Sequence, residues 1–213
     1  MAARILIADD HQLLRAGLRS LLEEQGFEVV GESENGRGAV NLVRKLKPDA
    51  LIIDINMPIL NGIEATRLLR KQALQLKVVV LSMLSDSRSI FQALAAGASG
   101  YLLKDAAFDE MVLALKAVLR GQTFLSPAIA HVVVQSALAS APASAGECCS
   151  ISGREREVLQ LVAEGRPTRE IAALLFISVK TVETHRKQLM DKLKVRSIAE
   201  LTKYAVREGV TSL

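Results

Sequence analysis

Five short apolar runs, RILIA, FEVVGE, ALIID, KVVVLS and GYLLK, punctuate the first 120 residues, with amphipathic segments between them. Runs of this length, rich in β-branched residues or Leu and bounded by turn residues, read as buried strands. The intervening stretches carry helical spacing: Leu13, Leu14, Leu18, Leu21 and Leu22 recur on one helix face, as do Met111, Val112, Leu115, Val118 and Leu119. Strand and helix alternating in this way predict an α/β unit, a doubly wound, flavodoxin-like sheet of five parallel strands. Crossovers between parallel strands are right-handed and put helices on both faces.

Composition changes near residue 123. The segment SALASAPASAGECCS, from Ser136 to Ser150, is rich in Ala, Ser and Pro and reads as the end of a linker. Residues 123–149 are therefore expected to connect two domains, with a helix near 128–138, and 150–213 to form a second, all-α domain of four helices. Ser152 with Glu155, and Ser197 with Glu200, match capping boxes, while Thr168 and Ser178 are candidate N-caps for the two middle helices. A length of 213 residues suits two compact units over 1–122 and 150–213.

Half the residues are hydrophobic and 23% are charged, a balance that excludes a disordered chain. There is no apolar stretch of the roughly 20 residues needed to cross a bilayer. The opening MAARILIADD also meets acid too early for a signal peptide, so a cytoplasmic location is expected, without membrane contact. The adjacent Cys148 and Cys149 cannot form a disulfide framework. The net charge of +4 is uneven: six bases and two acids fall between Lys180 and Arg196. A short basic helix fits nucleic acid, although a solvated face has the same composition.

In a sheet of this kind ligands bind outside the carboxyl ends of the strands. There the sequence places Asp9 and Asp10 after the first strand, Asp54 after the third, Ser82 after the fourth and Lys104 after the fifth. Each has an ordinary reading: Asp10 can cap a helix, Asp54 can begin a turn, and Lys104 can be a solvated lysine. Together at one edge, three carboxylates, a hydroxyl and an ammonium are not explained by packing. Three close carboxylates call for a hard cation such as Mg²⁺. Asp54 can then act as a nucleophile toward a phosphoryl group, with Lys104 and Ser82 binding the transferred oxygens.

With Asp9 and Asp10, DINMPILNG from Asp54 to Gly62, Ser82 and GYLLKD from Gly100, residues 1–122 resemble a receiver domain of two-component signalling. The resemblance implies that Asp54 accepts phosphate from a sensor histidine kinase. It also implies that Asp10 ligates Mg²⁺ directly, Asp9 through water, and Asn56 through its backbone carbonyl. Met57, Pro58 and Gly62 would shape the adjoining loop. Ser82 stands where receivers often carry Thr, and Asp105 where Pro often follows the lysine. Ser82 and Tyr101 are then the switch pair, the ring turning inward as the hydroxyl moves toward the phosphate. A Tyr merely packed at a strand is the plainer reading.

From Thr168 to Leu193 the sequence has the grammar of a helix-turn-helix. Ile171, Ala172 and Leu175 are expected to face inward from one helix, Phe176, Ile177 and Ser178 to form the turn, and Val179, Val182, Leu189 and Leu193 to pack the second helix. Packing leaves Lys180, Glu183, Thr184 and Lys187 unexplained, with Arg186 beside them. A recognition helix enters the major groove with its N-terminal half.

Through REREVL from Arg154, EIA from Glu170 and TVETHR from Thr181, residues 150–213 resemble the LuxR-type domain of NarL/FixJ regulators. By that resemblance Glu183, Thr184 and Lys187 face bases, while Lys180, Thr181 and Arg186 lie nearer the DNA backbone. Ser152, Arg169 and Glu183 depart from residues frequent in the family, and Glu183 leaves the operator sequence open. The resemblance further implies a homodimer through the helix from Ser197 to about Arg207, a receiver that obstructs the recognition helix until phosphorylated, and RNA polymerase as a candidate partner.

Two other functions compete. Acid-edged α/β sheets also serve phosphatases and nucleotide enzymes. Here ADDHQL holds neither GxGxxG nor a Walker lysine, and Asp54 is followed by Asn56 instead of a second carboxylate. His11 is a candidate general acid or simply a helix-start residue. The expectation is a phosphoryl acceptor with at most slow self-dephosphorylation, not an enzyme. The other competitor, a ligand-driven transcription factor, has no use for the complete acidic and Lys/Ser set.

Overall fold

The structure, a computed structural model, describes residues 2–72, 75–83, 85–105, 108–139 and 151–211. Cys148 and Cys149 lie outside the described residues. The chain divides into two compact units, Met1–Pro142 and Ala143–Leu213.

In the first unit β1 (Arg4–Ala8), α1 (Gln12–Glu24), β2 (Glu28–Ser33), α2 (Gly36–Leu46), β3 (Ala50–Asp54) and α3 (Gly62–Arg70) lead on in strict alternation. They are followed by β4 (Lys77–Ser82), α4 (Ser87–Ala96), β5 (Gly100–Leu103) and α5 (Phe108–Leu119). The strands pair in parallel in the order β2-β1-β3-β4-β5, and the expected five strands gain a sixth, β6 (Phe124–Leu125), on the outer side of β5. Two residues are too few to carry a period, so this strand had no sequence signature. The segment read as linker is folded up to the end of α6 (Pro127–Ala139). Its Ile129 is fully buried in the core that also holds Tyr101 and Ile90.

Successive strand residues serve opposite faces. Leu6, Ile53, Val78 and Val80 pack with α2, α3 and α4. Ile5, Ile7, Val79 and Leu81 pack with Leu18 and Leu22 of α1 and with Met111, Leu115 and Val118 of α5. Each such side chain contributes about 1.5–3 kcal/mol on burial. The five leucines of α1 do not form one buried stripe: Leu18 and Leu22 are buried, whereas Leu13 is 88% exposed and Leu21 37% exposed. At 3.6 residues per turn Leu14, Leu18 and Leu22 make a narrow row, and Leu13 falls to its side.

The second unit contains α7 (Gly153–Ala163), α8 (Thr168–Leu175), α9 (Val179–Leu193) and α10 (Ile198–Arg207) around Val158, Leu161, Ile171, Val182, Leu189 and Leu201. The Ser152–Glu155 capping box is complete. The second box is half formed: Ser197 accepts from the Glu200 amide, but the Glu200 carboxylate takes the amide of Arg196 instead of that of Ser197. Thr168 is not the cap of α8; Pro167 holds that place, with Thr168 the first helical residue. Ser178 caps α9 as expected. Phe176, 92% exposed, makes the turn with a left-handed φ of 54°. Val179, expected in the core, is 40% exposed, at the margin of the face on which Val182 and Leu189 are buried.

Candidate functional site

The carboxyl ends of β1, β3, β4 and β5 bring Asp9, Asp54, Ser82 and Lys104 together. The Lys104 ammonium lies 2.7 Å from Asp9 Oδ2 and 2.9 Å from Asp54 Oδ2. Asp9 and Asp54 are buried, as are Ser82 and Tyr101, and 10% of the Lys104 side chain is exposed. One ammonium for two buried carboxylates leaves negative charge uncompensated. Burial accordingly pushes the Asp54 carboxyl above its usual range: Lys104 and the Asn56 amide pull it down, and Asp9 adds to the rise. Burial opposes the charge on Lys104, but hydrogen bonds and attraction from Asp9 and Asp54 prevail and raise its pKa.

The loop after β3 is shaped around the Asp54 carbonyl. A Cβ at Gly62 would come within 2.0 Å of that oxygen, so no side chain fits there. Asn61 caps α3 by accepting from the Glu64 amide at 2.8 Å. Ile59, at φ 71°, takes the left-handed turn that returns the chain.

Asp10 is more exposed than Asp9. His11, expected as a general acid or a helix-start residue, has Nδ1 2.8 Å from Asp10 Oδ1 and 3.0 Å from Asp9 Oδ1. Asp9, Asp10, His11 and Asp54 each present one ligand atom within 4.8 Å of the others. Among the described residues the buried Asp9 Oδ2 meets only the Lys104 ammonium, at 2.7 Å. A pocket with several carboxylate oxygens and an incompletely satisfied one fits a hard divalent cation.

Tyr101 is already turned inward, fully buried, with its hydroxyl hydrogen-bonded to Ser82. Burial pushes its pKa up to about 12, the Ser82 bond working against the rise. The Lys104 amide donates to the Ser82 carbonyl at 2.9 Å, which ties the two strand ends together.

On α9, Lys180, Glu183, Thr184 and Lys187 are exposed, while Thr181 and Arg186 are half-buried. The Thr184 hydroxyl donates to the Lys180 carbonyl at 2.9 Å, and the Thr181 hydroxyl lies 2.8 Å from that of Ser178 at the helix cap. The helix thus offers two exposed lysines and an exposed carboxylate with no ion pair among the described residues, and two hydroxyls engaged locally.

Residues 5–116 match the family described as response regulator receiver domain, and residues 149–205 that described as bacterial regulatory proteins, luxR family. The chain belongs to the NarL/FixJ-type response regulators. It is 35% identical to the nitrate/nitrite response regulator protein NarL of Escherichia coli (strain K12), over 98% of this chain and 97% of that one. The RcsB response regulator of Salmonella typhimurium shares the fold with a TM-score of 0.65 at 29% identity, covering 97% of this chain and 98% of that one. An RcsB–DNA complex matches with a TM-score of 0.59 at 29% identity over 96% of this chain and 98% of that one.

The chain is thus a two-component response regulator, a receiver joined to a LuxR-type DNA-binding domain that regulates transcription. Receivers generally use Mg²⁺ at their acidic pocket. Among the described residues no helix is long and apolar enough to cross a membrane. Sequence reasoning passed over Arg15, whose guanidinium reaches the loop carrying the acid pair; only its place one turn beyond His11 hinted at it.

Proposed function

We propose that this response regulator is switched by transfer of a phosphoryl group from a phosphohistidine of a sensor histidine kinase to Asp54. An oxygen of the Asp54 carboxylate forms the new O–P bond as the donor P–N bond breaks, and the electron pair leaves on the donor imidazole. Asp9, Asp10, Asp54 and the backbone carbonyl of Asn56 would hold Mg²⁺, which supplies positive charge where nucleophile and phosphoryl oxygens meet. Lys104 and the Ser82 hydroxyl bind those oxygens. The observation that supports this most directly is the Lys104 ammonium held between Asp9 and Asp54, at 2.7 and 2.9 Å.

Phosphorylation adds nearly two negative charges at Asp54. The new oxygens compete with the Tyr101 hydroxyl for Ser82, and the receiver shifts population toward an active state. That state favours a homodimer whose α9 helices read double-stranded DNA. Glu183, Thr184 and Lys187 face the bases; Lys180, Thr181 and Arg186 lie nearer the phosphates. The complex of RcsB with DNA supports this part of the reading. The reading extends to RNA polymerase as a partner, a cytoplasmic location and only slow self-dephosphorylation. It assigns the receiver to 1–122, the connection, with β6 and α6 on its receiver side, to 123–149 and the DNA-binding domain to 150–213.

Incubation with Mg²⁺ and acetyl phosphate should yield an acid-labile adduct of one phosphoryl unit that Asp54→Asn abolishes. An adduct persisting in that variant would refute the assignment of Asp54.

A further inference from the structure

Both backbone polar groups of Asp9 are tied to β2. Its amide donates to the Ser33 carbonyl at 3.0 Å, as a continuation of the β1–β2 ladder. Its carbonyl accepts from Arg15 Nη1 at 2.6 Å, and Arg15 Nε in turn donates to Glu32 Oε2 at 3.3 Å. Glu32 Oε1 takes Arg19 Nε at 2.6 Å, so one β2 carboxylate anchors two arginines of α1. The Arg15 side chain is only 13% exposed.

The carbonyl that Arg15 grips belongs to the peptide joining Asp9 to Asp10. Turning that peptide would swing both carboxylates, because one precedes it and the other follows it. The His11 amide completes the clamp by donating to Asp9 Oδ1 at 2.8 Å. We propose that Arg15 is the positioning residue of the acid pair: braced on Glu32, it fixes the Asp9–Asp10 peptide in the orientation that lets both carboxylates hold a divalent cation. The proposal rests on the reading of that pair as Mg²⁺ ligands. It is a statement about geometry rather than charge. As a bare positive charge beside three carboxylates, Arg15 would weaken cation binding, and Glu32 balances it.

These two roles predict opposite results. If Arg15 positions the pair, Arg15→Ala in the full chain lowers Mg²⁺ affinity, read by calorimetric titration, by about ten- to a hundredfold, as loss of outer partners of metal ligands does. Half-saturating Mg²⁺ for phosphorylation by acetyl phosphate rises by the same factor, while the rate at saturating Mg²⁺ returns toward that of the parent protein. Arg15→Lys keeps the charge but not the planar fork that spans a carbonyl and a carboxylate, and weakens Mg²⁺ binding in the same sense. It also decides the matter if the alanine variant does not fold. Unchanged or tighter Mg²⁺ binding in both variants, or in the lysine variant alone if only that one folds, overturns the proposal. Absence of Mg²⁺ binding by the parent protein would instead overturn the ligand reading beneath it.

Discussion

Lys192, near the end of α9, places its ammonium 2.7 Å from Oε1 and 2.8 Å from Oε2 of Glu155, in the first turn of α7. The same carboxylate accepts the Ser152 amide at 2.8 Å, so one buried group both caps α7 and holds the far end of α9. Burial favours its neutral form, but Lys192 and Ser152 outweigh that and hold the Glu155 carboxyl below its usual range. A lowered folded-state pKa gives stability that is present above the unfolded value and lost as pH falls through the folded one. Glu155→Gln should therefore destabilise the second unit at neutral pH by about 1–3 kcal/mol. Calorimetric melts should show the two proteins converging on acidification below the usual carboxylate range; a constant gap would mean that the ionised carboxylate is not the source.

Asp54 has the opposite sign. Its folded-state pKa is raised, so its contribution is favourable only below the unfolded value and is lost as pH rises through the folded one. Above the unfolded value, and without a cation, the buried group costs stability. Asp54→Asn should raise the melting temperature of the receiver, by about 2–4 °C for each kcal/mol relieved. Added Mg²⁺ should stabilise the parent protein more than the variant. A variant that melts lower in the absence of Mg²⁺ would show that the Lys104 pairing outweighs burial.

Gly62→Ala tests the loop. A Cβ 2.0 Å from the Asp54 carbonyl forces the backbone to move, and overpacking of this kind costs about 1–3 kcal/mol or more. Phosphorylation by acetyl phosphate should fall while the second unit melts unchanged. Full phosphorylation of the alanine variant would show that the loop yields without moving Asp54.

On the DNA side, Lys187→Ala should weaken footprinting without lowering the melting temperature of the second unit, because Lys187 is exposed. If the lysine reads a base, the loss should be concentrated at one position of the operator; if it meets a phosphate, affinity should fall on all sequences and the salt slope should shrink by about one per site. An unchanged footprint removes Lys187 from the contact face.

The acid edge was legible because each of its members ends a strand, and strands announce themselves by composition. Asp9, Asp54, Ser82 and Lys104 needed only the direction of the sheet to be brought together. Arg15 was not legible, since its partners are a carboxylate seventeen positions away and a backbone carbonyl, which has no letter in the sequence. Leu13 and Val179 show the limit of apolar periodicity: a helix signals which side is greasy, but its neighbours decide how wide a stripe they cover. Pro167 takes the cap position of α8 through its backbone alone: no side chain caps the helix, and the Pro167 carbonyl accepts from the Ile171 amide at 3.1 Å.

The pairing of Phe124 and Leu125 with Gly100 and Tyr101 bears on how the receiver can be handled in isolation. A fragment ending at residue 122 would bare the flank of β5 and empty the socket of Ile129, creating a sticky border of the kind that drives strand-to-strand clumping. One ending after Ala139 would carry its own fender.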